Sequence, residues 1–307
     1  MPDRLHTLDL HFQDRPHTIA SYLLPHADGA ALIETGPGST TGMLQARLAE
    51  HGLTPNDISE VLVSHIHLDH AGGAGWLAGE HGATVYVHSI GAPHLADPSR
   101  LLSSAERIYG DDMDRLWGET RPVPDDQIVA LEDGDEITLG DRTALALDTP
   151  GHAAHHMAYV VEDVCFTGDV GGVRLPGETY VEIPLVPPEL RIDHWWESLS
   201  ILRAAADAHD ISHLAPTHFG LFDDVRAHLD RVETNLAAAE EWVEEEVPAL
   251  VDDPDALREA TTDWMHRLAQ AEGVDEDTWA LYELADPSWM AALGLKRYWE
   301  KHLREAA

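Results

Sequence analysis

Seven consecutive residues, Ser64-His65-Ile66-His67-Leu68-Asp69-His70, place four metal-capable side chains directly behind an apolar run, Ile58 to Val63, that reads as a β-strand. His65 and His67 alternate by two, so on extended chain their rings point the same way. Asp69 and His70 lie past the turn and face a neighbouring position. Ala71-Gly72-Gly73 follows and gives the backbone room to bend and approach closely.

Three further strand ends carry the same kind of residue. Thr149-Pro150-Gly151-His152 ends one run, Phe166-Thr167-Gly168-Asp169 another, and Ala215-Pro216-Thr217-His218-Phe219-Gly220 a third. Five imidazoles and two carboxylates suit two divalent metals, each with three or four protein ligands and open positions for water. The single cysteine, Cys165, excludes an intrachain disulfide and a cysteine-based zinc cage, and its place inside a predicted strand makes it core.

The chain around these clusters alternates strands and helices. Thr18–Leu24 and Ala30–Thr35 read as a hairpin across His26-Ala27-Asp28-Gly29, and Ala83–His88 as a strand. Strands resume at 135–139, 143–147, 157–161 and 164–167. A helix is expected over 192–209 and a last strand over 211–215. A two-sheet core with helices outside fits this order. From 225 the pattern is helical: Leu229, Val232, Leu236, Val243 and Val247 share one face, and a glutamate run from Glu240 to Glu246 lies mostly on the other as a solvated face. The chain therefore divides into 1–224, carrying the chemistry, and a helical extension, 225–307.

The 307 residues include 19 Lys+Arg and 56 Asp+Glu, a formal charge of −37. Such a surface cannot track phosphates, which are bound by displacing counterions with Lys and Arg, so nucleic acid is excluded as a partner, and anionic membranes with it. The sequence has no run of about 18 apolar residues and no basic-then-apolar leader, so a cytoplasmic protein acting on a small molecule is expected. Association into a homo-oligomer stays open. The extreme acidity reads as adaptation to salt.

With these residues the sequence resembles the metallo-β-lactamase superfamily, in the branch of binuclear hydrolases with the His-x-His-x-Asp-His motif, over about Thr18 to Gly220. The resemblance implies a four-layer αβ/βα sandwich of the α+β class, here with the C-terminal helical extension. It implies that His65, His67 and His152 hold one metal, that Asp69, His70 and His218 hold the second, and that Asp169 bridges. Zinc is the default, with iron or manganese compatible. The implied activity is hydrolysis of a small ester, thioester or lactone by a metal-bridging hydroxide, with Asp69 orienting the nucleophile. Alternatives are a mononuclear iron persulfide dioxygenase and, with less support, a phosphodiesterase. A class B1 β-lactamase would carry cysteine near position 169, and Cys165 does not match it. Glu34-Thr35-Gly36 replaces a more usual Asp-Thr-Gly and reads as support for the site. Glyoxalase II-type thioesterases share the ligands and a helical C-terminal domain, but bind glutathione's carboxylates through basic side chains, whereas the extension here is strongly acidic with its two lysines, Lys296 and Lys301, only near its end.

The proline-rich loop 170–189 is expected to shape a pocket wall. Within it Arg174 either binds a substrate carboxylate or pairs with nearby acids. Quorum-signal lactonases carry a tyrosine three residues past the bridging aspartate, where this chain has Gly172; Tyr180 would have to reach in to replace it. His155 and His156 are expected to orient ligands or contact substrate. Residues 91–110 either cover the site or serve as a connection, and His26 reads as a surface residue.

Composition also yields an expectation about salt. Folding gathers the acidic excess onto one particle, and salt shortens the Debye length from about 10 Å at 0.1 M to about 3 Å at 1 M. The melting temperature at fixed metal occupancy should rise between 0.1 M and 1 M KCl; a flat or falling curve would contradict salt adaptation.

Overall fold

Side chains of a strand alternate between the two faces of its sheet, and here both faces are apolar, so each sheet needs cover on both sides. The computed structural model, which describes residues 5–304, meets this with two sheets packed face to face and helices outside each. Among the described residues the first sheet runs β1 (His6–Asp9), β2 (Ala20–His26), β3 (Gly29–Ile33), β4 (Ile58–Leu62), β5 (Thr84–His88), β6 (Ile128–Leu131). The second runs β7 (Glu136–Leu139), β8 (Arg142–Asp148), β9 (Met157–Val161), β10 (Val164–Phe166), β11 (His213–Ala215). β2 and β3 form the expected antiparallel hairpin. β3 to β6 are parallel, which requires crossovers between them.

Burial follows the alternation. Tyr22, Leu24, Ile33 and Leu62 point inward and meet Met157, Tyr159, Val161 and Phe166 of the second sheet. Their neighbours Leu23, Leu32, Val61 and Val85 point outward onto Leu44 and Leu48 of helix Thr41–Glu50 and Leu77 of helix Ala74–His81. On the far side Ala158, Val160 and Cys165 pack with Trp195, Leu199 and Leu202 of helix Ile192–Ala208. The result is a four-layer αβ/βα sandwich. Cys165 is core, and burial pushes its thiol up to about 12.

Two strands lie outside the sequence reading, and both are edges of the first sheet. β1 is the polar stretch His-Thr-Leu-Asp, and β6 is apolar but short and partly exposed, so neither carries a clear period. His26 corrects another expectation: its side chain is buried and lies 2.9 Å from Glu60.

The described part of the C-terminal extension consists of helices Val225–Glu245, Val247–Leu250, Pro254–Ala271, Glu276–Ala285 and Ser288–Tyr298, ending in a π-turn Trp299–Leu303. It has no separate core. Leu229, Val232, Leu236, Tyr282 and Leu295 belong to the same buried cluster as Val160 and Trp195 of the sandwich. No helix among the described residues is long and apolar enough to cross a membrane.

Gly294 shows how closely the extension docks. A Cβ there would collide with the backbone carbonyl of Leu185, whereas Gly79, in helix Ala74–His81, faces open space. Gly294→Ala should cost about 1–3 kcal/mol in denaturant unfolding, because backbone rather than a flexible side chain must move. Gly79→Ala should gain up to about 1 kcal/mol from helix propensity. Equal effects of the two would refute the tight seam.

Candidate metal centre

The carboxyl ends of strands from both sheets meet at one edge of the sandwich. β4 leads into His65 and His67, and the short helix Leu68–Ala71 then carries Asp69 and His70. β8 leads to His152, β10 to a single 3₁₀ turn, Gly168–Gly171, that holds Asp169, and β11 to His218. Glycine makes these turns possible. Gly168 has φ +50°, and a Cβ on it would lie 2.5 Å from His156 Nε2 and 2.7 Å from Ser64 Cβ.

The seven side chains form two groups that share Asp169. His67 Nδ1 lies 2.9 Å from His65 Nε2 and 3.0 Å from His152 Nε2. Asp169 Oδ2 faces this trio, 3.3 Å from His152 Nε2 and 4.0 Å from His65 Nε2. Asp169 Oδ1 faces the other way, 3.3 Å from His70 Nε2 and 3.7 Å from His218 Nε2. Asp69 Oδ2 completes the second group, 3.6 Å from His70 Nε2 and 3.5 Å from His218 Nε2. His70 Nε2 and Asp169 Oδ1 are buried without a hydrogen-bond partner. Orphaned polar atoms within a set of imidazoles and carboxylates fit divalent cations, and the donor types suit zinc, iron or manganese.

The electrostatics differ between the groups. Burial and then the neighbouring imidazoles hold His65 well below its ordinary range and push His67 down to about 3. The trio thus offers neutral rings with free lone pairs. Burial also acts to lower His70, but Asp169, Asp69 and Glu34 outweigh it and hold this ring well above its usual value. The second group is a place that demands positive charge.

Three of the rings are aimed by their other nitrogen. His152 Nδ1 donates to Pro184 O at 2.9 Å and His218 Nδ1 to Thr18 O at 2.6 Å. His70 Nδ1 faces Glu34 Oε1 at 3.3 Å, and Glu34 also accepts from Ser64 N at 3.3 Å and Thr217 Oγ1 at 3.2 Å. Glu34 is held with φ +65°, a conformation costly outside glycine. His156 Nε2 accepts from the Asp169 backbone N–H at 3.1 Å, which puts its proton on Nδ1, 2.9 Å from Thr149 Oγ1. His155 is buried with its ring stacked 6.1 Å from that of His65.

A cleft of about 390 Å³ opens over this floor, and His67, Asp69, His152, Asp169 and His218 line it. Its walls are largely apolar. Pro184, Val186, Pro187 and Pro188 contribute from the proline-rich loop, Leu101, Ile108 and Tyr109 from helix Ser99–Tyr109, and Glu283, Asp286 and Trp289 from the C-terminal helices.

Two expected substrate contacts are not there. Arg174 is absent from the cleft lining: its guanidinium donates to both carboxylate oxygens of Asp224, at 2.6 and 3.1 Å, and to Glu178 O at 2.8 Å, above the Phe222 ring. Pairing with a nearby acid is the alternative that holds. Tyr180 is buried against Tyr282, its hydroxyl 3.4 Å from Glu182 Oε2, and cannot stand in for the residue missing at Gly172. Of the two readings of residues 91–110, covering the site is the one that Leu101, Ile108 and Tyr109 support, whereas Glu283, Asp286 and Trp289, which the sequence reading missed, sit far along the helical extension, where no local motif marks them.

The profile of the metallo-beta-lactamase superfamily matches residues 14–218. A metallo-beta-lactamase fold-containing protein of Sulfurisphaera tokodaii is 33% identical over 142 residues, 45% of this chain and 53% of that protein. A hydroxyacylglutathione hydrolase of Rhodopseudomonas palustris is 30% identical over 156 residues, 49% of this chain and 45% of the enzyme. An atrochrysone carboxyl ACP thioesterase of Aspergillus fumigatus is 30% identical over 153 residues, 48% of this chain and 38% of that protein. The chain thus spans about half the length, or less, of these curated relatives. Among solved structures, a metallo-beta-lactamase family protein of Thermus thermophilus superposes with a TM-score of 0.66 at 24% identity, covering 100% of this chain and 95% of its own. At that identity the likeness speaks for the fold.

Glu34→Gln keeps the shape of this buried side chain and removes its charge opposite His70. Losses of this kind cost metal sites about 10–100-fold in affinity. Chelator competition should show one weakened metal of that order in a protein with an unchanged circular dichroism spectrum; full affinity would show that Glu34 does not tune the site.

Proposed function

Since this chain belongs to the metallo-beta-lactamase superfamily, we propose that it hydrolyses a small ester, thioester or lactone at a two-cation centre formed by His65, His67, His152, Asp169, Asp69, His70 and His218. The observation that carries this reading is the Asp169 carboxylate, with one oxygen toward each donor group, at the floor of a largely apolar cleft. The seven side chains would hold divalent cations, zinc first and iron or manganese by the same donors, whose chemistry when bound would be to activate a water at neutral pH and to polarise an acyl carbonyl. Asp69 faces the cleft and is positioned to orient the water and pass its proton to the departing oxygen or sulfur. The apolar walls hold the acyl chain and exclude bulk water. Residues 1–224 carry the chemistry in this reading, and 225–307 supply one wall. The net charge of −37 favours small molecules over nucleic acid. Relatives named as a hydroxyacylglutathione hydrolase and a thioesterase put thioesters first among the acyl classes.

Protein purified without added metal should contain close to two metals per chain by elemental analysis. Asp169→Asn should lower both and reduce turnover by at least 10²-fold on a panel of thioesters, lactones and aryl esters. Two retained metals and normal turnover would remove the bridge. Efficient cleavage of RNA or DNA without acyl hydrolysis would overturn the substrate class.

A further inference from the structure

The cleft contains acids that hydrolysis does not use. Asp286 ends helix Glu276–Ala285, lines the cleft while only 5% exposed, and its Oδ2 has no hydrogen-bond partner. Glu283, three residues earlier, also lines the cleft, and its Oε1 is likewise unpartnered. Beside them Glu182 is 1% exposed with Oε1 unpartnered. Burial, and then the charge of Asp169, pushes Asp286 well above the ordinary carboxylate range. Among the described residues lining the cleft, Arg115 is the one Lys or Arg, and Asp112, at 2.9 Å, and Gln13 already engage it. Arg258 lines an adjoining pocket with Glu283 and lies 6.0 Å over the Trp289 ring. The unpartnered oxygens of these acids therefore meet no Lys or Arg lining the cleft. Nor do their oxygens join any group of donors gathered within 4.8 Å, as those of the metal centre do.

The aromatic rings of Tyr109, Trp117 and Trp289 line the same cleft, with Phe12 stacked on Trp117. Tyr109 packs 5.0 Å from Trp117 and 6.0 Å from Trp289, measured between centroids. Burial and then the charges of Asp69 and Asp286 push the Tyr109 phenol up. Aromatic faces beside unpaired carboxylates are the surroundings in which an organic cation replaces its lost water.

We propose that the substrate carries a positively charged nitrogen, held by Asp286 and Glu283 among Tyr109, Trp117 and Trp289 while its acyl carbonyl lies over Asp69 and Asp169. The position of the carbonyl rests on the hydrolytic reading; the cation site does not. A substrate with several carboxylates, such as a glutathione thioester, is disfavoured by the same acids.

Two measurements on the metal-loaded protein in 1 M KCl, where the general surface charge is screened, test this. The first compares kcat/KM for aryl thioesters of equal length ending in ammonium, methyl or carboxylate, with the ammonium two to six carbons from the carbonyl. The ammonium members should lead their methyl counterparts by at least tenfold, and Asp286→Asn and Glu283→Gln should each shrink that ratio at least fivefold. The second compares calorimetric binding of pentyl- and hexylammonium with alcohols of equal length. The ammonium ions should bind at least tenfold tighter, and less so in either variant. A ratio near one, a preference for the carboxylate, or a ratio unchanged in both variants overturns the proposal. Selective ammonium binding without hydrolysis of any thioester supports the cation site and counts against the hydrolytic reading alone.

Discussion

A carboxylate removed from water needs positive charge around it, and Asp169, only 4% exposed, is surrounded by imidazoles on both sides. Its two oxygens face different donor groups, so both groups must form at once. That single requirement fixes much of the rest. β4, β8, β10 and β11 have to end at the same edge, and the two sheets have to pack with those ends aligned. The backbone N–H of Asp169 is bound to His156, while the rings that face its carboxylate are held by Pro184 O, Thr18 O and Glu34. These supporting groups are buried or belong to the backbone.

The sandwich and the gathering of the seven side chains were legible because the donors cluster within a few residues after the ends of apolar strands. Period and chemistry then coincide within a few residues. The strands β1 and β6 were not legible, since one is the polar stretch His-Thr-Leu-Asp and the other is four apolar residues that do not alternate, so neither shows the period of two that marks a strand. The part of the cleft wall contributed by the C-terminal helices was hidden for another reason. Tyr109 and Asp286 are 177 positions apart in the chain, and only the packing of two helical segments over the floor makes them neighbours of one cavity. Arg174 illustrates a third limit: both of its readings were chemically sound, and the choice depended on Asp224, fifty residues on.

The composition changes at 225 without a change of core. The helices that follow share buried side chains with the second sheet and approach it so closely that Gly294 meets the backbone of Leu185. The Thermus thermophilus structure spans the whole of this chain. The boundary therefore marks where the pattern of secondary structure shifts, while the hydrophobic interior continues across it.

The clasp around Arg174 joins these parts. Its backbone N–H donates to His218 O at 2.5 Å, its guanidinium holds Asp224 at the start of helix Val225–Glu245, and His228 on that helix donates to Gly171 O at 2.7 Å. The loops bearing Asp169 and His218 are thus tied to the first turn of the helical extension. A recombination that exchanged the C-terminal helices for those of a relative would have to inherit Asp224, His228 and Arg174 together, because a crossover between them would separate the anchors from the loops they hold. The chain can vary its cleft through Glu283, Asp286 and Trp289 at the far end of the extension, but its near end is bound to the metal scaffold and must travel with it.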